Sequence, residues 1–141
     1  RRDHPYIDGV GGTKIAQHLS TIQTLVDSGP PRDWVIELGT NDALGNNPNW
    51  AADFAQEVSL VQDQPCVVFV TVNPTLGPVS TGIDGAIAAA VAAHANFRSL
   101  DWGTIEFSDP AWLLSDHLHP TPTGAEELAR LENTVLHTCP A

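Results

Sequence analysis

Basic side chains are scarce in this sequence. Six Lys and Arg stand against 17 Asp and Glu, a formal net charge of −11. The six are Arg1, Arg2, Lys14, Arg32, Arg98 and Arg130, and only the first two adjoin. Tracking a phosphate backbone takes a basic stripe, so this composition argues against nucleic acid as a partner. It argues against an anionic membrane surface for the same reason. Long apolar runs are missing too. The longest candidate, Ala86 to Ala93, falls well short of the roughly 18 residues of a membrane span, so no membrane insertion by this chain is expected. The chain opens Arg1-Arg2-Asp3-His4 without Met, and the expectation is a processed or cut chain whose signal peptide, if any, is gone.

Cysteine is limited to Cys66 and Cys139. A pairing between them would tie the C-terminus to a predicted strand; two idle thiols are the alternative. A Cys two residues from the chain end has little else to pack against. The reading therefore leans to a disulfide and an extracytoplasmic or secreted setting.

What is present is ordinary for a globular domain. Of the 141 residues, 42% are hydrophobic and 16% charged, enough for one domain with a sizeable core. Strand and helix signals alternate. Pro5 to Asp8 reads as a short strand, ended by Gly9, Gly11 and Gly12. Lys14 to Val26 places Ile15, Leu19, Ile22 and Val26 at helical spacing. Trp34 to Leu38 reads as a strand, and Trp50 to Val61 as a helix with Asn49 as its N-cap. Cys66 to Val72 is a β-branched and aromatic run, the signature of a strand buried on both faces. Asn73 to Gly82 reads as loop, Ile83 to Ala95 as helix, Phe97 to Trp102 as strand and Gly103 to Ser115 as irregular. Thr121 or Thr123 would cap a last helix near Ala125 to Leu136. Such alternation predicts an α/β layered domain with a parallel sheet, whose ligands bind at the carboxyl ends of the strands.

Two motifs fall in that region. Gly39-Thr40-Asn41-Asp42 follows a predicted strand. Gly permits a tight exit, and Asn offers a neutral amide suited to a developing oxyanion; taken alone, the tetrapeptide reads better as a turn. Asp116-His117-Leu118-His119-Pro120 precedes the last helix. An Asp three residues before a His can orient the imidazole and stabilise its charged form, the work of a general base. An acidic loop with a surface His is the plainer reading. Asp116, His117 and His119 could also ligate a metal, but only the remote His4 offers a further ligand, and no metal is assigned.

Together and in this order, the motifs resemble two sequence blocks of the SGNH (GDSL-like) hydrolases, and the resemblance spans nearly the whole chain. Gly39, Asn41 and Asp42 match the Gly-x-Asn-Asp block, and Asp116 and His119 the final Asp-x-x-His block. Val10-Gly11-Gly12 lies where a block with an oxyanion glycine falls. Asp101-Trp102, Trp112-Leu113 and His119-Pro120-Thr121 leading to Gly124 are similar to SGNH domains attached to membrane O-acyltransferases. The resemblance implies a three-layer α/β sandwich, flavodoxin-like, with a parallel sheet of about five strands across a single domain, 1–141. It implies His119 as base, Asp116 as its orienting partner, Asn41 and either Gly11 or Gly12 as oxyanion donors, and no cofactor.

The family's Gly-Asp-Ser block, which carries the nucleophile and ends the first strand, is absent. Asp27-Ser28-Gly29 ends a helix, Ser115 adjoins Asp116 too closely, Ser80 lacks an activating turn, and Ser20, Ser59, Ser99 and Ser108 have no supporting context. The nucleophile is therefore unassigned. Without the first strand, the Pro5 to Asp8 and Trp34 to Leu38 strands would flank an empty slot, with unpaired groups costing roughly 1–3 kcal/mol each. A complementary N-terminal segment or chain is expected to fill it. The expected function is a serine esterase or O-acyltransferase acting on small acyl esters, such as acetyl on a carbohydrate. The alternative is a non-catalytic SGNH-fold binding or scaffolding module.

Overall fold

The computed structural model describes residues 6–140. Its elements alternate as the sequence pattern predicts. A 3-10 turn at Ile15–His18 leads into α1 (Leu19–Ser28), and β1 (Asp33–Ile36) follows. Next come α2 (Thr40–Leu44), α3 (Trp50–Val61) and β2 (Cys66–Val70). The chain continues through α4 (Pro78–Ala93), β3 (Phe97–Leu100), α5 (Trp102–Ile105) and α6 (Pro122–Leu136).

The sheet is parallel and ordered β1-β2-β3. It has three strands among the described residues, not the five expected for the fold. The strand expected at Pro5 to Asp8 does not form over its described part. Tyr6 to Asp8 run outside the sheet, and Pro5 lies outside the described residues. No described strand pairs with the outer edge of β1, so a strand one place further out has no neighbour to bond. The buried cost expected at that slot is also reduced. Trp34 and Val35 of β1 are only half-buried, and water can reach the edge.

β2 is buried along its whole length, and its two faces feed two cores. Val67 and Phe69 point into a cluster with Ile15, Phe54, Ile83 and Phe97, beneath α1, α3 and α4. Cys66, Val68 and Val70 point the other way, against Leu128 of α6 and Trp102. This period-2 split of one unbroken apolar run produces three layers: helices, sheet, helix. Cys66 is bridged to Cys139, fastening the chain just beyond α6 to the start of the central strand. No described helix is long and apolar enough to cross a membrane.

Several boundaries differ from the sequence expectation: β1 ends at Ile36 rather than Leu38, β2 at Val70 rather than Val72, and α6 begins at Pro122. α4 begins at Pro78 rather than Ile83, because Pro is well suited to a helix's first turn, where no N–H bond is lost. Phe97 to Trp102 divides into β3 and the opening of α5. At the last helix, Thr121 is the N-cap and its hydroxyl accepts from the Gly124 N–H at 3.1 Å. Gly124 is needed there, since a Cβ would strike the Trp112 carbonyl.

Candidate functional site

The exit from β1 turns on Gly39. Its φ is +124°, a conformation that L side chains avoid, and a Cβ there would lie 3.0 Å from Val72 Cγ2. The turn delivers Asn41 and Asp42 into α2. Asp42 is fully buried and accepts from the Ile15 N–H at 3.0 Å and from Asn47 Nδ2 at 2.8 Å. It is thus a structural anchor. Asn41 is only half-buried and lines a pocket of about 120 Å³. Among the described residues its side-chain amide has no hydrogen-bond partner.

Asp116 and His119 are brought together as the spacing suggested. An antiparallel bridge between Leu113 and Pro120 closes their loop, and the Leu114 N–H donates to the His119 carbonyl at 2.8 Å. Asp116 Oδ1 accepts from the backbone N–H groups of Leu118 (2.9 Å) and His119 (3.0 Å). Its Oδ2 lies 2.7 Å from His119 Nδ1. The His119 N–H, then its imidazole, then the Leu118 N–H hold the Asp116 carboxyl down to about 2. Asp116 is therefore ionised at neutral pH, and Nδ1 carries a proton toward it. Nε2 is left as the basic nitrogen, on a side chain that is 68% exposed.

The two motifs meet through one dipeptide after β2. Val72 packs on Gly39, and Asn73 Nδ2 donates to the His117 carbonyl at 3.3 Å. Both motifs thus lie at the carboxyl end of the sheet. The pocket beside Asn41, however, is lined by no residue of the 116–119 loop. Gly11 and Gly12 are exposed and do not line it either, whereas Gly9 and Val10 do. Among the described residues no group of three or more His, Cys, Asp and Glu could hold a metal. His4 lies outside the described residues.

The serines add no partner for His119. Ser80 is fully buried and donates to the Gly77 carbonyl at 2.8 Å. Ser28 donates to the Thr24 carbonyl inside α1, and Ser108 to Ile105.

A second imidazole was not singled out by the sequence. His18, 7% exposed, places Nδ1 2.9 Å from Asp8 Oδ2 and Nε2 2.6 Å from Thr13 Oγ1. Asp8, Thr13 and His18 all line the pocket that holds Asn41. A hydroxyl residue, a His five positions on and an Asp five positions before form a legible pattern. A search confined to serine passes over it.

No family model matches this chain, and no curated protein matches it by sequence.

Proposed function

We propose that this domain is an SGNH-type esterase or O-acyltransferase acting on short acyl esters, such as O-acetylated carbohydrate. The observation that carries this reading is the Asp116–His119 geometry: an ionised carboxylate at 2.7 Å from Nδ1, leaving Nε2 exposed as a base. In the proposed reaction, Nε2 takes the proton of a serine hydroxyl as that oxygen attacks the ester carbonyl. Asp116 then offsets the imidazolium charge, and the Asn41 amide receives the oxyanion. The alcohol leaves with the proton from Nε2, and water or an acceptor hydroxyl releases the acyl group.

The serine would arrive on a complementary segment paired with the outer edge of β1, which no described strand occupies. That edge runs toward the pocket beside Asn41. A fluorophosphonate probe on the purified protein, with p-nitrophenyl acetate turnover, tests the reading. Expected are labelling of a serine outside these 141 residues and a loss of turnover of roughly 10²-fold or more in His119→Ala. Turnover unaffected by His119→Ala would sink it.

A non-catalytic binding module is the second reading. It is favoured by one observation: among the described residues no hydroxyl bonds His119.

A further inference from the structure

We infer that Asp8, His18 and Thr13 form a second hydroxyl-activating relay, in which Thr13 accepts an acyl group from a short ester held in the pocket beside Asn41. This goes beyond the reading above, because it needs no residue outside the chain. It shares with that reading the class of chemistry and the Asn41 amide, but neither His119 nor Asp116.

The groups stand in the order that acyl transfer requires: carboxylate, imidazole, hydroxyl, at 2.9 Å and 2.6 Å. A catalytic base must lie within hydrogen-bond reach of the proton it takes, and His18 Nε2 does. The imidazole is fixed by position. Its residue closes the 3-10 turn Ile15–His18 and adjoins α1, and Ile15, within that turn, is fully buried. The array is not sealed in the core. All three residues open onto the cavity of about 120 Å³, where Asn41 supplies an amide with no other described partner. A nucleophile, a base and an oxyanion donor thus share one wall. A cavity of that size takes an acetyl or propionyl group.

The single proton on Thr13 Oγ1 decides when the relay works. Oγ1 also lies 2.7 Å from the Val10 carbonyl. With His18 doubly protonated, Nε2–H donates to Oγ1, and the hydroxyl donates to Val10. With His18 neutral, Nδ1–H remains on Asp8, and Nε2 accepts the hydroxyl proton instead. Only the second arrangement activates Thr13. Asp8 faces the imidazole, and Glu37, whose carboxyl shares a hydrogen bond with Glu132, lines the same pocket.

In the step proposed, Oγ1 bonds to the ester carbonyl carbon as its proton passes to Nε2. The tetrahedral oxyanion collapses, the bond from carbon to the leaving oxygen breaks, and that oxygen takes the proton from Nε2. The product is an O-acyl threonine and a free alcohol. The threonine methyl crowds the attack, so a serine in its place should react faster.

The test is acetylation of the 141-residue chain by p-nitrophenyl acetate, read by peptide mass. Trypsin releases Asp3 to Lys14, or Asp3 to Arg32 where acetyl-Lys14 resists cleavage, and Thr13, Tyr6 and Lys14 are among the acylatable side chains. Fragmentation separates them. The expected result is an acetyl group on Thr13, formed faster at alkaline than at acidic pH. It should be lost in Thr13→Val, gained more quickly in Thr13→Ser, and slowed at least tenfold in His18→Gln. An acetyl group only on Tyr6 or Lys14 would overturn the proposal. So would the absence of a Thr13 adduct in both the wild type and Thr13→Ser. The modified residue is read directly, so this outcome is separate from any result on His119-dependent turnover.

Discussion

Asn73 donates its side-chain amide to the backbone carbonyl of His117, 44 residues away. Its own Oδ1 accepts from the N–H and the hydroxyl of Thr75, at 2.8 and 2.7 Å. His117 has a φ of +56°, unusual for a residue with a side chain. The Asp116–His119 loop is thus pinned near the end of the central strand at a residue with a positive φ. Substituting Asn73 by Ala removes the pin and the cap together. Expected are a stability loss of about 1–3 kcal/mol and a shift of the His119 imidazole resonances. Denaturant titration and an NMR pH titration of His119 check both. Unchanged imidazole shifts would mean that the loop holds itself.

Asp116→Asn leaves the loop's backbone bonds an acceptor but removes the charge opposite Nδ1. In material with turnover, the rate should fall by roughly 10²-fold or more while substrate binding stays close to wild type. Steady-state kinetics separate the two.

Glu57 gives a pH signature. It is 1% exposed and its Oε2 has no partner. Burial, and then the neighbouring Asp42, push its carboxyl up from 4.5 to about 8. Between those values the folded protein holds a proton that the unfolded chain has released. Glu57 therefore contributes a loss of stability as pH rises from 4.5 toward 8, alongside Glu106 and Glu132, whose carboxyls burial raises to about 7 and about 9. Glu57→Gln should reduce that slope, without abolishing it, in urea midpoints measured across the range.

Gly39→Ala places a Cβ at a φ of +124° and 3.0 Å from Val72 Cγ2. The expected cost is about 1–3 kcal/mol. The neighbouring amides of Thr40 and Asn41 should move in an NMR spectrum while those of α6 do not.

Reducing the Cys66–Cys139 bridge reopens a loop with a sequence separation of 73. In the chain-entropy model this costs about 4 kcal/mol. Thermal unfolding with and without reductant measures it.

Local patterns carried most of what was legible in the sequence. β2 announced itself because two-sided burial leaves a single uninterrupted apolar run. Asp116 and His119 could be paired on paper because a three-residue spacing keeps both in one turn. The start of α4 was hidden because Pro78, Ser80 and Gly82 carry the composition of a loop, and only packing on Trp50 makes a helix of it. The strand expected at Pro5 to Asp8 failed over its described part for a non-local reason, since β propensity without a neighbouring strand yields no ladder. The tie from Asn73 to His117 could not be read at all. It depends on how two distant loops meet at the sheet's end.

The Cys66–Cys139 bridge also fixes how the domain would respond to tension. A pull on the two chain ends travels along the backbone to Cys66, crosses the sulfurs and leaves at Cys139. Once β1 is stripped from β2, α4, β3, the Asp116–His119 loop and α6 carry none of that load. Of the described residues, 6–65 and 140 lie outside the bridged ring and can be drawn out, on the order of 3.5 Å each. The ring holding His119 stays slack until a reductant opens it.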